Sequence, residues 1–249
     1  MALATALFIA PLAPEARASY YVREDATGGD CGAIGSWDLE TRTCTLTTDV
    51  AIASENEAGI LIESNGIVID GGGHRIAGPG WDKAGGIGVG AMSFNMSGIT
   101  IENVIIDGFG TGIAFFYGAT GSTIRNVSII NANSAAIYVR DGSSGLKVID
   151  SEIRGTCYPV MFEGVSTSLI QRNRIEGCPM PVGGTTHVSI ASGSDNDILD
   201  NAFVGAGWSY PVLFTGSDRN RVRGNTFQGT GPIVIWGSTA NEIVHNTLR

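Results

Sequence analysis

The sequence predicts an all-β solenoid of short stacked strands, and three observations carry that prediction. Ile (27) and Val (17) together outnumber Leu (11) fourfold among the 249 residues, a balance that suits pleated strands and disfavours helices. An apolar-x-apolar pair recurs as Ile87/Val89, Ile113/Phe115, Ile137/Val139, Val160/Phe162, Val188/Ile190, Val212/Phe214 and Ile233/Ile235, with first members 26, 24, 23, 28, 24 and 21 residues apart. After each pair and a Gly/Ser/Asn turn comes a small polar residue, in the series Asn103, Asn126, Ser151, Asn173, Asn201, Asn225 and Asn246. The two series interleave, and no repeat holds ten residues of helical periodicity. A unit of this length without a helix cannot close its own core, so successive units must stack.

At the start of the chain, residues 2 to 13 form a short apolar run, and Ala16-Arg17-Ala18 offers the small-x-small pattern of a signal peptidase site, so residues 1–18 are expected to be a secretory signal. The run is too short to span a bilayer. Residues 19–45 depart from the repeat and are expected to cap the first coil, hiding an edge that would otherwise template aggregation. Cys31 and Cys44 bracket a short loop with no Cys-x-x-Cys or His partner, which predicts a disulfide, and Trp37 would anchor the cap. Gly78 to Gly86, with Trp81, Asp82 and Lys83, reads as an inserted loop.

From residue 46 to 249 the repeat supplies about eight coils of roughly 24 residues, with strands such as Ile-x-Val separated by turns such as Gly193-Ser194-Asp195-Asn196. Strands one coil apart would lie about 4.8 Å from each other, so equivalent residues form columns. The Asn series then becomes an internal amide ladder. Cys157 lies six residues after Ser151 and Cys178 five after Asn173, nearly the same place in adjacent coils, which predicts a coil-to-coil disulfide. A leucine-rich horseshoe would need a Leu frame that the composition lacks.

The stretches GlyIleThrIleGluAsnValIleIle (98 to 106), SerThrIleArgAsnValSerIleIle (122 to 130) and ArgValArgGlyAsnThrPhe (221 to 227) resemble the repeat of right-handed parallel β-helix proteins, a family that includes pectate lyases, polygalacturonases, mannuronan epimerases and NosD-type periplasmic proteins. The resemblance covers residues 46 to 249 and implies the fold more strongly than any activity.

The formal charge of −9 argues against a nucleic-acid partner. The residue before each ladder position reads Glu102, Arg125, Asp150, Arg172 and Asp200, an alternation of signs expected to stack as ion pairs, and Glu152 and Arg174 repeat the pattern on the other side. On the outward face of the Ile-x-Val strands, Arg140 and Glu163 are the charged residues, with Tyr138 beside them. The plain reading of this group is a salt bridge between Arg140 and Glu163 beside a tyrosine; the resemblance to lyases implies a catalytic one, with Arg140 as the cation and Glu163 or Tyr138 as the base in proton abstraction beside a uronate carboxylate. Against it, the Asp-Pro-His-Asp stretch of epimerases, the paired Asp of polygalacturonases and the Arg-x-Pro-x-x-Arg of pectate lyases are all absent. Residues 176 to 187 form the longest loop, and Tyr158, Trp208, Tyr210 and His187 are expected at its corner as a sugar-stacking surface. His74, His187 and His245 occupy unrelated repeat positions and predict no histidine-based metal site, whereas Asp195, Asp197 and Asp200, with Asp218 one coil on, read as Asx-turn formers in a solvated loop, with calcium ligation as the alternative.

These features predict a secreted, periplasmic or cell-surface β-helix that meets polysaccharide or another surface protein without catalysis and needs no cofactor. The alternative is a lyase or epimerase of acidic polysaccharide. No transmembrane segment is expected, and the chain is expected to be a monomer unless it docks end to end at its last coil.

Overall fold

Alternation is what turns the Ile-rich segments into strands: in Thr111–Phe115, Ala135–Arg140 and Val160–Glu163 the apolar pairs point inward and are almost wholly buried, while Tyr138, Met161 and Glu163 between and beside them face outward. A computed structural model describes residues 19–53, 58–80, 86–178, 185–205 and 209–249, so the predicted signal (1–18), Trp81 to Gly85, the middle of the longest loop (179–184) and Trp208 lie outside the described residues. Each coil lays down three short strands in the same order, and each strand joins its counterpart in the next coil in parallel.

The first sheet has nine strands, from Tyr20–Val22 to Val234–Trp236. The second has ten, nine of them parallel from Thr43–Leu46 to Glu242–Val244, plus Gly35–Asp38, which pairs antiparallel with Thr43–Leu46. The third has nine, from Val50–Ala51 to Thr247–Leu248. Eight coils run from Ile60 onward, as expected, and segment 19–45 contributes Tyr20–Val22 to the first sheet and the antiparallel hairpin to the second. Gly35–Asp38 is therefore the outermost strand of the second sheet at its N-terminal end. The helical element among the described residues is the 3-10 turn Cys31–Ala33, and none of their helices is long and apolar enough to cross a membrane.

The core is one continuous column of Ile, Val and Phe from every coil. One predicted pair is displaced: Ile113 and Phe115 pair with Val89 and Ala91, so the inward pair of that coil is Val89/Ala91 rather than Ile87/Val89.

The predicted ladder is also shifted in its first two coils. Asn103 and Asn126 align with Asp150, Arg172 and Asp200, and all five sit at the corner between the second and third sheets with φ between 49° and 55°. Asn tolerates this left-handed conformation better than most residues, so an Asn at a repeat corner can serve either outside or inside. The inner column instead reads Val104, Val127, Ser151, Asn173, Asn201, Asn225 and Asn246, the first six at most 5% exposed. The charge column splits for the same reason: Glu102 and Arg125 pair within the second sheet, whereas Asp150 and Arg172 pair at the corner.

From Asn173 onward the inner amides form a closed network. Asn201 Oδ1 accepts from the Asn173 backbone N–H (2.9 Å) and Nδ2 (3.0 Å), while Asn201 Nδ2 donates to the Ile170 carbonyl (2.9 Å) and Asn225 Oδ1 (3.0 Å). A second inner ladder, Ser168, Asn196, Asn220 and Asn241, works the same way where the chain enters the second sheet. Both ladders supply acceptors to corner N–H groups whose regular strand partners are interrupted by the bend.

Both predicted disulfides are present. Cys31–Cys44 ties the 3-10 turn to the hairpin, and Cys157–Cys178 joins adjacent coils with their Cα atoms 4.8 Å apart. Thr156 pairs with Gly177, so the two cysteines are neighbours in register, and the extra residue before Cys157 is absorbed by a register shift between Ile153 and Thr156.

Candidate functional site

The outer face of the first sheet brings the predicted Tyr138, Arg140 and Glu163 together. Arg140 and Glu163 are direct register partners and Tyr138 pairs with Met161, so the three side chains share two adjacent coils. The Tyr138 hydroxyl donates to Glu163 Oε2 at 2.7 Å. Arg140 turns to its sequence neighbour, donating from Nε to Asp141 Oδ2 at 2.6 Å. Its guanidinium also lies 5.5 Å from the centroid of the Phe116 ring, the approach of a cation to a ring face.

Electrostatics settle the protonation states of Tyr138 and Arg140. Partial burial, and then the hydrogen bond to Glu163, push the Tyr138 phenol above its usual range, so it keeps its proton. The contact with Asp141, and next that with Tyr138, hold Arg140 firmly charged.

Sequence reasoning missed the aromatic surface that continues from this group. Phe116 meets Tyr138 edge-on at 5.5 Å and Tyr117 at 6.1 Å, and Tyr117 meets Phe94 at 4.6 Å. Phe94 is 76% exposed, and the run crosses three coils. Tyr117 has φ of 60°, at a corner where other coils place Asn95, Asp141, Gly164, Ser192, Gly216 and Gly237 with φ between 54° and 66°. Small or polar residues occupy that left-handed corner cheaply, whereas a bulky aromatic there costs about 1 kcal/mol or more. A large ring at a small-residue column was the available signal.

The second predicted surface is not assembled as expected. Tyr158 is exposed and Tyr210 half-buried; Thr186, which pairs with Tyr210, lies between them, so the two tyrosines are two coils apart, about 9.6 Å. His187 does not belong to this surface: it is wholly buried, with its ring 5.9 Å from Phe203. It is the residue before an inward pair, a place held by Gly88, Gly112, Ala136, Pro159, Pro211 and Pro232 in other coils, which faces the interior because the chain bends there into the first sheet. Gly177 makes the room, since a Cβ there would come within 2.7 Å of His187 Nε2. Among the described residues no side-chain or backbone group makes a well-formed hydrogen bond to either ring nitrogen, and burial, opposed in part by the Val204 backbone, lowers the imidazole pKa to about 4.

The acidic group is dispersed into separate pairs. Asp195 takes a two-pronged contact from Arg219 (2.8 and 2.8 Å) and Asp197 one from Arg221 (3.0 and 2.8 Å). Asp218 accepts from Thr239, and Asp200 from Gln171 at 3.2 Å. Among the described residues no group of three or more His, Cys, Asp or Glu could hold a metal ion.

A family model described as "Right handed beta helix region" matches residues 85–248. Among solved structures, the chain is similar to the DFA-IIIase of Arthrobacter chlorophenolicus A6 in complex with DFA-III (16% identity, TM-score 0.56, 81% of this chain and 54% of that one). It is also similar to the tailspike protein of E. coli bacteriophage HK620 in complex with a pentasaccharide (10% identity, TM-score 0.50, 93% and 49%). A pectate lyase is a third such structure (10% identity, TM-score 0.50, 94% and 78%). At these identities the likeness is one of fold, and the chain spans about half the length of the first two. No curated protein sequence matches it.

Proposed function

The chain belongs to the right-handed β-helix family, and from that premise we propose that it is a non-catalytic carbohydrate-binding protein whose binding face is the outer surface of the first sheet. The observation that carries this reading is the aromatic run Phe94, Tyr117, Phe116 and Tyr138, exposed at Phe94 and half-buried at the other three, with neighbouring ring centroids 4.6 to 6.1 Å apart and Arg140 over Phe116. Aromatic rings offer sugars an apolar face, and the neighbouring carboxylates and guanidinium offer hydroxyls fixed polar partners. The tailspike structure in complex with a pentasaccharide has the same fold, which agrees with this use of the scaffold. Two disulfides suit an exported protein that works outside the reducing cytosol.

Elimination chemistry would need a base free to take a proton and a cation free to meet the developing charge. Here Tyr138 keeps its proton and donates a hydrogen bond to Glu163, and Arg140 is committed to Asp141. Arg140, Asp141 and Glu163 sum to 1 − 2 = −1, and the whole chain to −9, so a neutral glycan fits this face better than a polyanion.

A glycan array on the mature chain, followed by calorimetric titration of any hit, tests the reading. Phe116→Ala should weaken binding about tenfold, the equivalent of about 1.4 kcal/mol for a lost stacking ring. Ultraviolet absorbance from an unsaturated uronate product would overturn the non-catalytic assignment in favour of a lyase, and binding unchanged in Phe116→Ala would remove the site from this face.

A further inference from the structure

A groove of about 720 Å³ runs along the corner between the second and third sheets, away from the first-sheet face, and among the described residues no aromatic side chain lines it. We propose that it is a second, separate binding site, for an uncharged oligosaccharide lying along the solenoid axis.

Its dimensions suit an extended ligand. The lining runs from Gly73 through Asn103, Asn126 and Asp150 to Arg172, one residue per coil, so four coil steps make it about 19 Å long. The volume falls within the usual range of small-molecule sites, about 300–1,000 Å³.

Its chemistry suits hydroxyl groups. Asn126 Nδ2 donates to Asn103 Oδ1 at 2.7 Å, and Asn103 Nδ2 donates to Asp70 Oδ1 at 3.0 Å, so both amides are oriented by their neighbours. Each keeps capacity for a ligand: one N–H on each amide and the Oδ1 of Asn126 have no partner among the described residues. A hydroxyl is both donor and acceptor and can use either. The left-handed corner fixes the backbone beneath these side chains, with φ of 52° at Asn103 and 49° at Asn126, so little ordering remains to be done on binding.

Its charges are already matched. Arg172 grips Asp150 with two contacts of 2.7 Å, and Arg174 lies 4.0 Å from Glu152 and 3.4 Å from Glu176. Two acids and two arginines on the lining, Asp150 and Glu152 against Arg172 and Arg174, sum to zero. A polyanion would have to break these pairs, whereas a neutral chain can accept from the arginines and donate to the carboxylates as they stand. Without an aromatic platform, recognition rests on hydrogen bonds, and a ligand lacking a matching hydroxyl leaves a groove amide unmet.

The test titrates the full chain with malto-, cello-, xylo- and manno-oligosaccharides, following the Asn side-chain amide resonances by NMR and the affinity by calorimetry. Asn126→Gly keeps the left-handed corner while removing the amide, and a thermal melt confirms that it folds. The proposal expects at least one neutral oligosaccharide to shift the groove amides, with the affinity read from the Asn103 amide reduced tenfold or more in Asn126→Gly, whereas Phe116→Ala lowers the affinity of the first-sheet face and leaves the groove-amide shifts in place. It is overturned if no neutral oligosaccharide shifts them, or if all binding disappears in Phe116→Ala and none in Asn126→Gly. Since each variant touches one face alone, loss of the first-sheet reading and loss of this one give opposite patterns.

Discussion

Replacing Asn201 with Ala separates the inner ladder from the outer corner more sharply than any other single change. Asn201 is 2% exposed and its carboxamide makes four hydrogen bonds. In Asn201→Ala the Asn173 backbone N–H, 2.9 Å from Asn201 Oδ1, loses its acceptor inside the core. An orphaned buried donor costs about 1–3 kcal/mol, and the other bonds, whose partners keep alternatives, cost about 0.5–1.5 kcal/mol each. Asn173 Nδ2 still reaches the Val148 carbonyl, and Asn225 Oδ1 still accepts from the Asn201 backbone. The total is about 5 kcal/mol. Asn126→Ala, at the same apparent place in the sequence repeat, removes one exposed side-chain bond and puts Ala in a left-handed corner, at about 1 kcal/mol. Urea unfolding should show a large fall in midpoint for Asn201→Ala and a small one for Asn126→Ala, with similar m-values. Equal shifts for the two would refute the assignment of Asn201 to the interior and Asn126 to the surface.

His187 should make the fold acid-sensitive. Its pKa is about 4 in the folded chain against 6.5 ordinarily, so between those pH values the unfolded chain binds a proton that the folded one refuses. The stability tied to this neutral imidazole is complete above pH 6.5 and falls by about 3 kcal/mol as pH drops to 4; His187→Leu should lack that slope, and an identical slope in both proteins would count against the burial. Replacing Cys157 and Cys178 together with Ser should cost about 3 kcal/mol by loop-closure entropy over their 21-residue separation, read as a lower denaturation midpoint, whereas an unchanged midpoint would mean that stacking alone holds these coils. Tyr117→Gly exchanges relief of a left-handed aromatic for loss of the ring contacts to Phe94 and Phe116, so its stability should stay within about 1 kcal/mol of the parent. Its glycan binding should nonetheless fall, and full binding would exclude Tyr117 from the site.

Much of the candidate site was legible in sequence only as single residues. The outward positions Tyr138, Arg140 and Glu163 follow from strand alternation, and the structure does place them side by side. Their partners do not follow from it: Asp141 captures Arg140 because the chain bends left-handed there, at φ of 61°, and brings the carboxylate back toward the guanidinium. Phe94 and Tyr117 lie at or beside corners, where alternation carries no information about direction.

The sequence by itself determined the class of the fold, the period of the coil, the inward identity of pairs such as Ile137/Val139 and Val160/Phe162, and both disulfides. Each of these depends on spacing along the chain or on period-two alternation within one strand, which are local properties. Tertiary structure alone decided that Val104 and Val127, rather than Asn103 and Asn126, enter the interior, that His187 is buried, and that four aromatic rings from three coils meet on one face. Those outcomes turn on corner residues, where one left-handed φ resets the alternation between strands and the coil length varies by several residues. Inside and outside are then assigned by which neighbouring coil the side chain meets, and that is a property of the stack.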